Sequence, residues 1–307
     1  MNRFMLNIAT LIMLLGSIVQ ADTYLIFGAK GWIGSKLTVI LEQNGDTVIK
    51  AQSRLENRQD VAKEIDAASP DCVVNAAGVT GRPNVDWCED HKQETVRANI
   101  IGALNLADIC YMRNIHMTNF GTGCIYEYDE HHSVNSGIGF TEEEKPNFDG
   151  SYYSKTKSML NELLHDYPNV LNLRLRMPIS DDLHERSFIT KIIGYKKVIN
   201  VPNSMSVLYD LLPASVIMMK NRLTGIYNFV NPGTISHNEI LDLYTEYIDP
   251  SFTYANFSVA EQDLILKSKR SNNELDTTKL LSAVSTIPPI KESMVQLFKR
   301  MVAAGKK

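Results

Sequence analysis

Tyr153-Ser154-Lys155-Thr156-Lys157 places a phenol four residues before an ammonium. On a helix, positions i and i+4 share one face. A cation held beside a phenol favours the phenolate and lowers its pKa. Such a tyrosine can give its proton to a ketone oxygen while a hydride reaches the carbon. Taken alone, the spacing also fits an ordinary surface helix. Thr122, in Gly121-Thr122-Gly123-Cys124, adds a second group, because it ends the stretch from about His116 that reads as the fourth strand. A hydroxyl at the C-terminal end of a strand can polarise the same ketone.

A hydride donor needs a site of its own. Gly28-Ala29-Lys30-Gly31-Trp32-Ile33-Gly34 follows the apolar run Thr23 to Phe27 and opens a helical pattern. Glycines let such a turn close and let backbone approach a pyrophosphate, which the helix N-terminus stabilises. The loop, Lys30, Trp32 and Ile33 included, is therefore a candidate dinucleotide cradle. Asn75-Ala76-Ala77-Gly78 is a second close-approach loop along the same ligand, and Lys157 can hold its nicotinamide ribose. Asn99 can support Lys157 through water, or be a satisfied polar residue of its helix. The end of the second strand reads Ala51-Gln52-Ser53-Arg54, with no acid before Arg54 to accept from ribose hydroxyls. An arginine there can pair with a 2′-phosphate, which favours NADP(H). The other reading of Arg54 is a solvated loop residue.

The elements that must position these groups alternate. Strands are expected at residues 23–27, 47–51, 71–75, 116–120 and 171–177, the last alternating as a half-buried strand should. Helices are expected at 33–43, 59–68, 94–110 and 153–165, the third with Val96, Ile100, Leu104 and Ala107 on its inner face. Strand, helix, strand, helix predicts an α/β, Rossmann-type doubly wound parallel sheet. After Met177 the texture changes to short helices, many Asn and Pro residues and a lone strand at 225–229. Residues 22–177 are thus read as the NADP-binding domain. Residues 178–307 are read mainly as a smaller C-terminal substrate-binding lobe, with later strands completing the sheet.

The 307 residues, 44% of them hydrophobic, suffice to bury such a core. A formal net charge of -4 without a basic run argues against nucleic acid. Cys72, Cys88, Cys110 and Cys124 form no CxxC pair and no metal-ligand spacing, so no metal and no disulfide framework is expected. Residues 1–21 stand apart. Arg3, the apolar run Phe4 to Val19 and the small residue Ala21 have the layout of a signal peptide. An uncleaved anchor touching a membrane through residues 4–19 and a plain extension are the alternatives.

The assembled residues resemble the extended short-chain dehydrogenases. Within them the chain is similar to the dTDP-4-dehydrorhamnose reductases, and more so to the bifunctional nucleotide-rhamnose epimerase-reductases known from plants. The resemblance runs from about Tyr24 to the C-terminus. It includes Asn75 to Glu89 (NAAGVTGRPNVDWCE), Ser151 to Lys157 (SYYSKTK), Arg176 to Ser180 (RMPIS), Ser236 to Ile240 (SHNEI) and Arg270 to Asp276 (RSNNELD). It implies a UDP- or dTDP-linked 4-keto-6-deoxy-glucose as substrate, inverted at C3 and C5 and reduced at C4 to the L-rhamnose nucleotide. Both inverted carbons flank the ketone, so their protons are the acidic ones. The family's epimerase acid/base pair falls on Cys124 and Lys191. Cys124 lies two residues after Thr122, which extended backbone places on the same side. A thiol near cations can exchange protons around neutral pH. A buried structural cysteine and a helix-surface lysine are the bland readings of the two. The resemblance is also compatible with a homodimer, and cytosolic NADPH and sugar nucleotides favour a cytoplasmic place over the secretory route.

Two rivals are weighed against this reading. Nucleotide-sugar 4,6-dehydratases and 4-epimerases share the fold, but dehydratases carry an acid pair just after the catalytic threonine, where this chain has Gly123 and Cys124. A non-catalytic scaffold, like the regulatory subunit of methionine adenosyltransferase, resembles the same reductases. It would have no chemical reason to keep Thr122, Tyr153 and Lys157 together.

Overall fold

A computed structural model describes residues 21–306. The leader read over residues 1–21 lies outside the described residues, Ala21 excepted. Among the described residues no helix is long and apolar enough to cross a membrane. In chain order the elements are β1 (Thr23–Phe27), α1 (Trp32–Gln43), β2 (Thr47–Lys50), α2 (Arg58–Ala68), β3 (Cys72–Asn75), α3 (Trp87–Asp90), α4 (Lys92–Val96), a π-helical turn (Arg97–Ile101), α5 (Gly102–Met112), β4 (His116–Thr122), α6 (Tyr152–His165) and β5 (Val170–Leu175). There follow α7 (Phe188–Ile193), β6 (Lys197–Val198), α8 (Leu208–Lys220), β7 (Gly225–Asn228), α9 (His237–Tyr247), β8 (Ala255–Asn256), α10 (Val259–Ile265), α11 (Thr278–Ala283) and α12 (Ile290–Ala303).

Six strands form one parallel sheet in the order β2-β1-β3-β4-β5-β7. Both faces are covered, which is why β1 and β3 read as uninterrupted apolar runs. Tyr24 and Ile26 pack with α1, α8 and α11 on one side. Leu25 and Phe27 pack with α2, α5 and α6 on the other. Gly225–Asn228, which reads as a lone strand, is the edge strand β7, paired with β5. The order in which strands are added reverses between β1 and β3, and ligands of such sheets bind in the crevice outside the strand ends there. A further apolar cluster from α7, α9 and α12 begins at Ile179, just past β5.

Two expectations need correction. The helix expected at 94–110 is interrupted: the Gly102 N–H reaches back five residues to the Arg97 carbonyl, a π-helical closure. The extra residue rotates the face. Of Val96, Ile100, Leu104 and Ala107, only Ala107 is fully buried, while Asn99, Ala103 and Leu106 turn inward. Second, β5 is not half-buried; all six residues are buried. Its polar positions are hidden because each has a buried partner, Asn172 in the neighbouring strand and Arg174 on α6. Asn75 donates to Asn119 (2.9 Å), Asn119 to Asn172 (2.8 Å), and Arg174 to Asn161 (2.9 Å).

Candidate active site

The loop after β1 is built on glycine for packing reasons internal to the fold. Gly28 has φ +81°, and a Cβ there would lie 2.6 Å from the Ala76–Ala77 backbone. A Cβ on Gly34 would meet the Gly28 carbonyl at 2.3 Å. The turn closes through the Gly31 N–H to the Gly28 carbonyl at 2.9 Å. α1 then starts with no side-chain cap and no acid in its first turn. Its positive end is thereby left for an anion. The loop opens on a cavity of about 1180 Å³, walled also by the ends of β3, β4 and β5. That exceeds the roughly 300–1,000 Å³ usual for one small ligand.

The predicted cofactor residues do not all face this cavity. Gly28, Gly31, Trp32, Ile33, Ala76, Ala77, Gly78 and Arg54 line it. Lys30 does not; its ammonium sits 3.4 Å from the Gln52 amide, beside a smaller recess behind Trp32. Gly34 is buried against Gly28. Asn75 is 3% exposed and works from beneath, accepting the Ala77 N–H at 3.0 Å. Asn99 is 1% exposed, and both ends of its amide bond the Val79 backbone at 2.8 Å, holding the second loop against the π-helical turn. Arg54 stands at the rim, largely exposed and paired with Glu56 at 3.3 Å. Glu56 is an acid on the cavity wall that the reading of the β2 end did not count.

The catalytic candidates meet on the opposite wall. Ser151 caps α6 by accepting the Ser154 N–H at 3.0 Å, which fixes where the helix begins and so where Tyr153 and Lys157 face. Thr122, Cys124, Tyr153 and Lys157 all line the cavity. The Tyr153 phenol is pushed well above its ordinary range, by burial first and by neighbouring Cys124 next, with Thr122 opposing. The expected depression by Lys157 is not seen: its ammonium is not among the groups that act on the phenol, and burial keeps the phenol protonated. Lys157 itself is pushed down to about 8 by burial. Lys191, on α7, faces the same cavity and is also lowered, by burial and then by Arg186. Cys124 is partly exposed and unpaired, and it acts electrostatically on both Tyr153 and Lys191. The other three cysteines are buried and unpaired.

Several wall residues carry no role in the sequence reading. Arg176 is fully buried, and its guanidinium donates to Asn203 (2.7 Å) and to the Ser271 carbonyl (3.0 Å), pinning two loops beside the strand end. Arg186 donates to Thr80 at 2.9 Å. Asp182 accepts from the Trp32 indole at 2.9 Å and pairs with Lys36 at 2.7 Å, while His184 stacks on Trp32 at 5.2 Å. Segment 181–187 therefore joins the glycine loop to the helix bearing Lys191. Of Arg176, Arg186, Asp182 and His184, only Arg176 lies in a stretch the resemblance singled out, RMPIS, and that stretch points to no chemistry until the fold brings it to the wall.

Comparison with known proteins agrees with this geometry. The model of the NAD dependent epimerase/dehydratase family matches residues 24–195. The bifunctional dTDP-4-dehydrorhamnose 3,5-epimerase/dTDP-4-dehydrorhamnose reductase of Arabidopsis thaliana is 54% identical over 282 residues, covering 92% of this chain and 94% of its own length. The crystal structure of a UDP-rhamnose synthase from Acanthamoeba polyphaga mimivirus is similar with a TM-score of 0.88 at 43% identity, covering 92% of this chain and 100% of that one. A dTDP-4-dehydrorhamnose reductase from Bacillus anthracis, solved in complex with NADP, has a TM-score of 0.76 at 17% identity over 92% of this chain and 99% of its own, a likeness of fold.

Proposed function

The chain belongs to the NAD dependent epimerase/dehydratase family, and from that premise we propose an NADPH-dependent 4-reductase and 3,5-epimerase. Its substrate is a UDP- or dTDP-linked 4-keto-6-deoxy-D-glucose and its product the L-rhamnose nucleotide. One observation carries this reading: Thr122, Cys124, Tyr153, Lys157 and Lys191 line the same cavity as the glycine loop. The relatives described above have the matching activities in their names.

Gly28, Gly31, Trp32 and Ile33 suit a pyrophosphate at the uncapped start of α1, Arg54 a 2′-phosphate, and Lys157 the nicotinamide ribose. NADPH, when bound, supplies the hydride for C4. Cys124 and Lys191 take and return protons at C3 and C5, whose C–H bonds are acidified by the adjacent ketone. Thr122 donates a hydrogen bond to the C4 oxygen and stabilises charge building there. Tyr153 then gives that oxygen its phenolic proton. The phenol's retention of its proton suits an acid rather than a base. NADPH and sugar nucleotides are made in the cytosol, which is where this reading puts the enzyme.

The test is NADPH oxidation on mixing the protein with the 4-keto-6-deoxy sugar nucleotide, with the product identified by NMR. Absence of oxidation with either the UDP or the dTDP ketone would remove the proposal.

A further inference from the structure

Glu64, on α2, turns its carboxylate back to the end of β2. One oxygen accepts the Gln52 N–H at 2.7 Å, and the other accepts the Ser53 N–H at 2.9 Å. Successive backbone donors turned to one side form a seat for an anion. Here an acid of the chain occupies that seat. Burial raises the pKa of this carboxyl, but hydrogen bonds from Ser53 and Gln52 outweigh burial and hold it below its ordinary range. Glu64 is therefore an anion at neutral pH. No step proposed above uses it.

Its position says which part of a ligand feels it. In sheets of this kind the adenosine ribose lies at the end of the second strand, where an acid accepts from the 2′-hydroxyl or a cation serves a 2′-phosphate. Ser53 and Arg54 line the cavity at that point, and Glu64 stands behind Ser53, bonded to it. The acid missing from β2 is thus supplied by α2. It disfavours a 2′-phosphate in two ways. The phosphate meets a like charge one residue from Arg54. The two N–H groups that suit an anion are also taken. Glu56 differs, because its partner Arg54 is largely exposed and free to turn to a phosphate. Glu64 is fixed in place by two bonds.

We propose that Glu64 is a specificity residue that limits the preference for NADPH over NADH, opposing from behind Ser53 the 2′-phosphate that Arg54 attracts. The inference rests on the function proposed above, which seats that phosphate at Arg54. Glu64 itself touches no cofactor atom. It acts by its charge and by withholding the Gln52 and Ser53 N–H groups. The preference is the balance of two side chains of opposite sign at one strand end.

The experiment is a cycle between side chain and cofactor, read as binding without turnover. Calorimetry gives Kd for NADP⁺ and for NAD⁺ with wild type, Glu64→Gln, Glu64→Ala and Arg54→Ala. The two cofactors differ only in the 2′-phosphate, so the ratio of their Kd values reads that group alone. Glu64→Gln removes the charge and keeps one acceptor for the strand end. It should bind NADP⁺ about threefold to tenfold tighter than wild type and NAD⁺ equally well. High salt should shrink that gain, because salt screens the repulsion in wild type. Glu64→Ala, which frees both donors for the phosphate, should gain at least as much, and it decides the matter should the Gln variant not fold. Equal changes for both cofactors would make Glu64 a structural brace and overturn the assignment. So would an unchanged ratio in both Glu64 variants while wild type prefers NADP⁺. A wild type that binds both cofactors alike, with Arg54→Ala no different, would instead remove the 2′-phosphate from Arg54, and this inference with it.

Discussion

The Thr122 hydroxyl accepts the backbone N–H of Cys124 at 3.1 Å. One lone pair is thus engaged from behind, and its proton is left for the Tyr153 phenol beside it or for a carbonyl oxygen in the cavity. The same bond fixes the strand end that presents Cys124. Thr122→Val should lower kcat for reduction by about 10²–10³, the usual loss for one such donor. Thr122→Ser should keep most of the rate. Equal rates for Val and Ser would show that the hydroxyl is not used.

Tyr153→Phe removes the proton donor and leaves the ring to pack. Reduction should fall by at least about 10², while NADPH still binds. Single-turnover NADPH oxidation beside a fluorescence titration separates the two effects, and a normal rate in the variant would dismiss the assigned acid.

Lys157 is held at about 8 against an ordinary 10.5. That difference is roughly 3 kcal/mol of disfavoured charge. Between those two pH values the unfolded chain holds a proton that the folded one has lost, so stability rises with pH across the window. Below about pH 8 the penalty is present in full. Lys157→Met should therefore be inactive yet more stable than wild type near neutral pH, with the gain shrinking as pH approaches about 10. Urea midpoints at the two pH values measure this; a gain independent of pH would point to packing instead.

Arg54 now pairs with Glu56 at the rim. A 2′-phosphate would exchange that exposed pair for a charge-assisted bond worth about 1.5–3 kcal/mol. Arg54→Ala should cut the preference for NADPH over NADH by about tenfold or more. An unchanged ratio of the two kcat/KM values would return Arg54 to the solvent.

Cys124→Ser keeps the strand, Thr122 and the cofactor site but replaces a thiol with a far weaker acid. Deuterium uptake at C3 and C5 in heavy water should slow severely, while reduction of an already inverted 4-keto-L sugar survives. Undiminished uptake would leave Cys124 without an acid/base role.

The sheet was legible because its strands are buried on both faces and so read as apolar runs. The glycine loop was legible because Gly28 and Gly34 answer to steric demands that no other residue meets. Tyr153 and Lys157 were legible because helix periodicity fixes their common face. The inner face of the helix expected at 94–110 was misjudged for the converse reason: a single π-helical closure, which leaves no mark in the spacing, turned Val96, Ile100 and Leu104 partly outward. Arg174 and Asn172 looked solvated because polar type was taken for exposure, whereas their partners are contributed by Asn161, Asn119 and Asn228, each on another element. His237 lies in the stretch SHNEI, yet what marks it, two ring nitrogens without partners among the described residues, shows only in the fold.

Asp182 grips Trp32 and Lys36 of the cofactor-side helix, and six residues later the same segment enters the helix that carries Lys191. The two ligands therefore lean on one piece of chain. Whatever factor an occupied glycine loop contributes to the sugar's affinity, the sugar must return to the cofactor, because the coupling between two equilibria is reciprocal. Cutting the tether at Asp182 would leave each ligand able to bind alone, while the factor by which one raises the affinity of the other falls toward one.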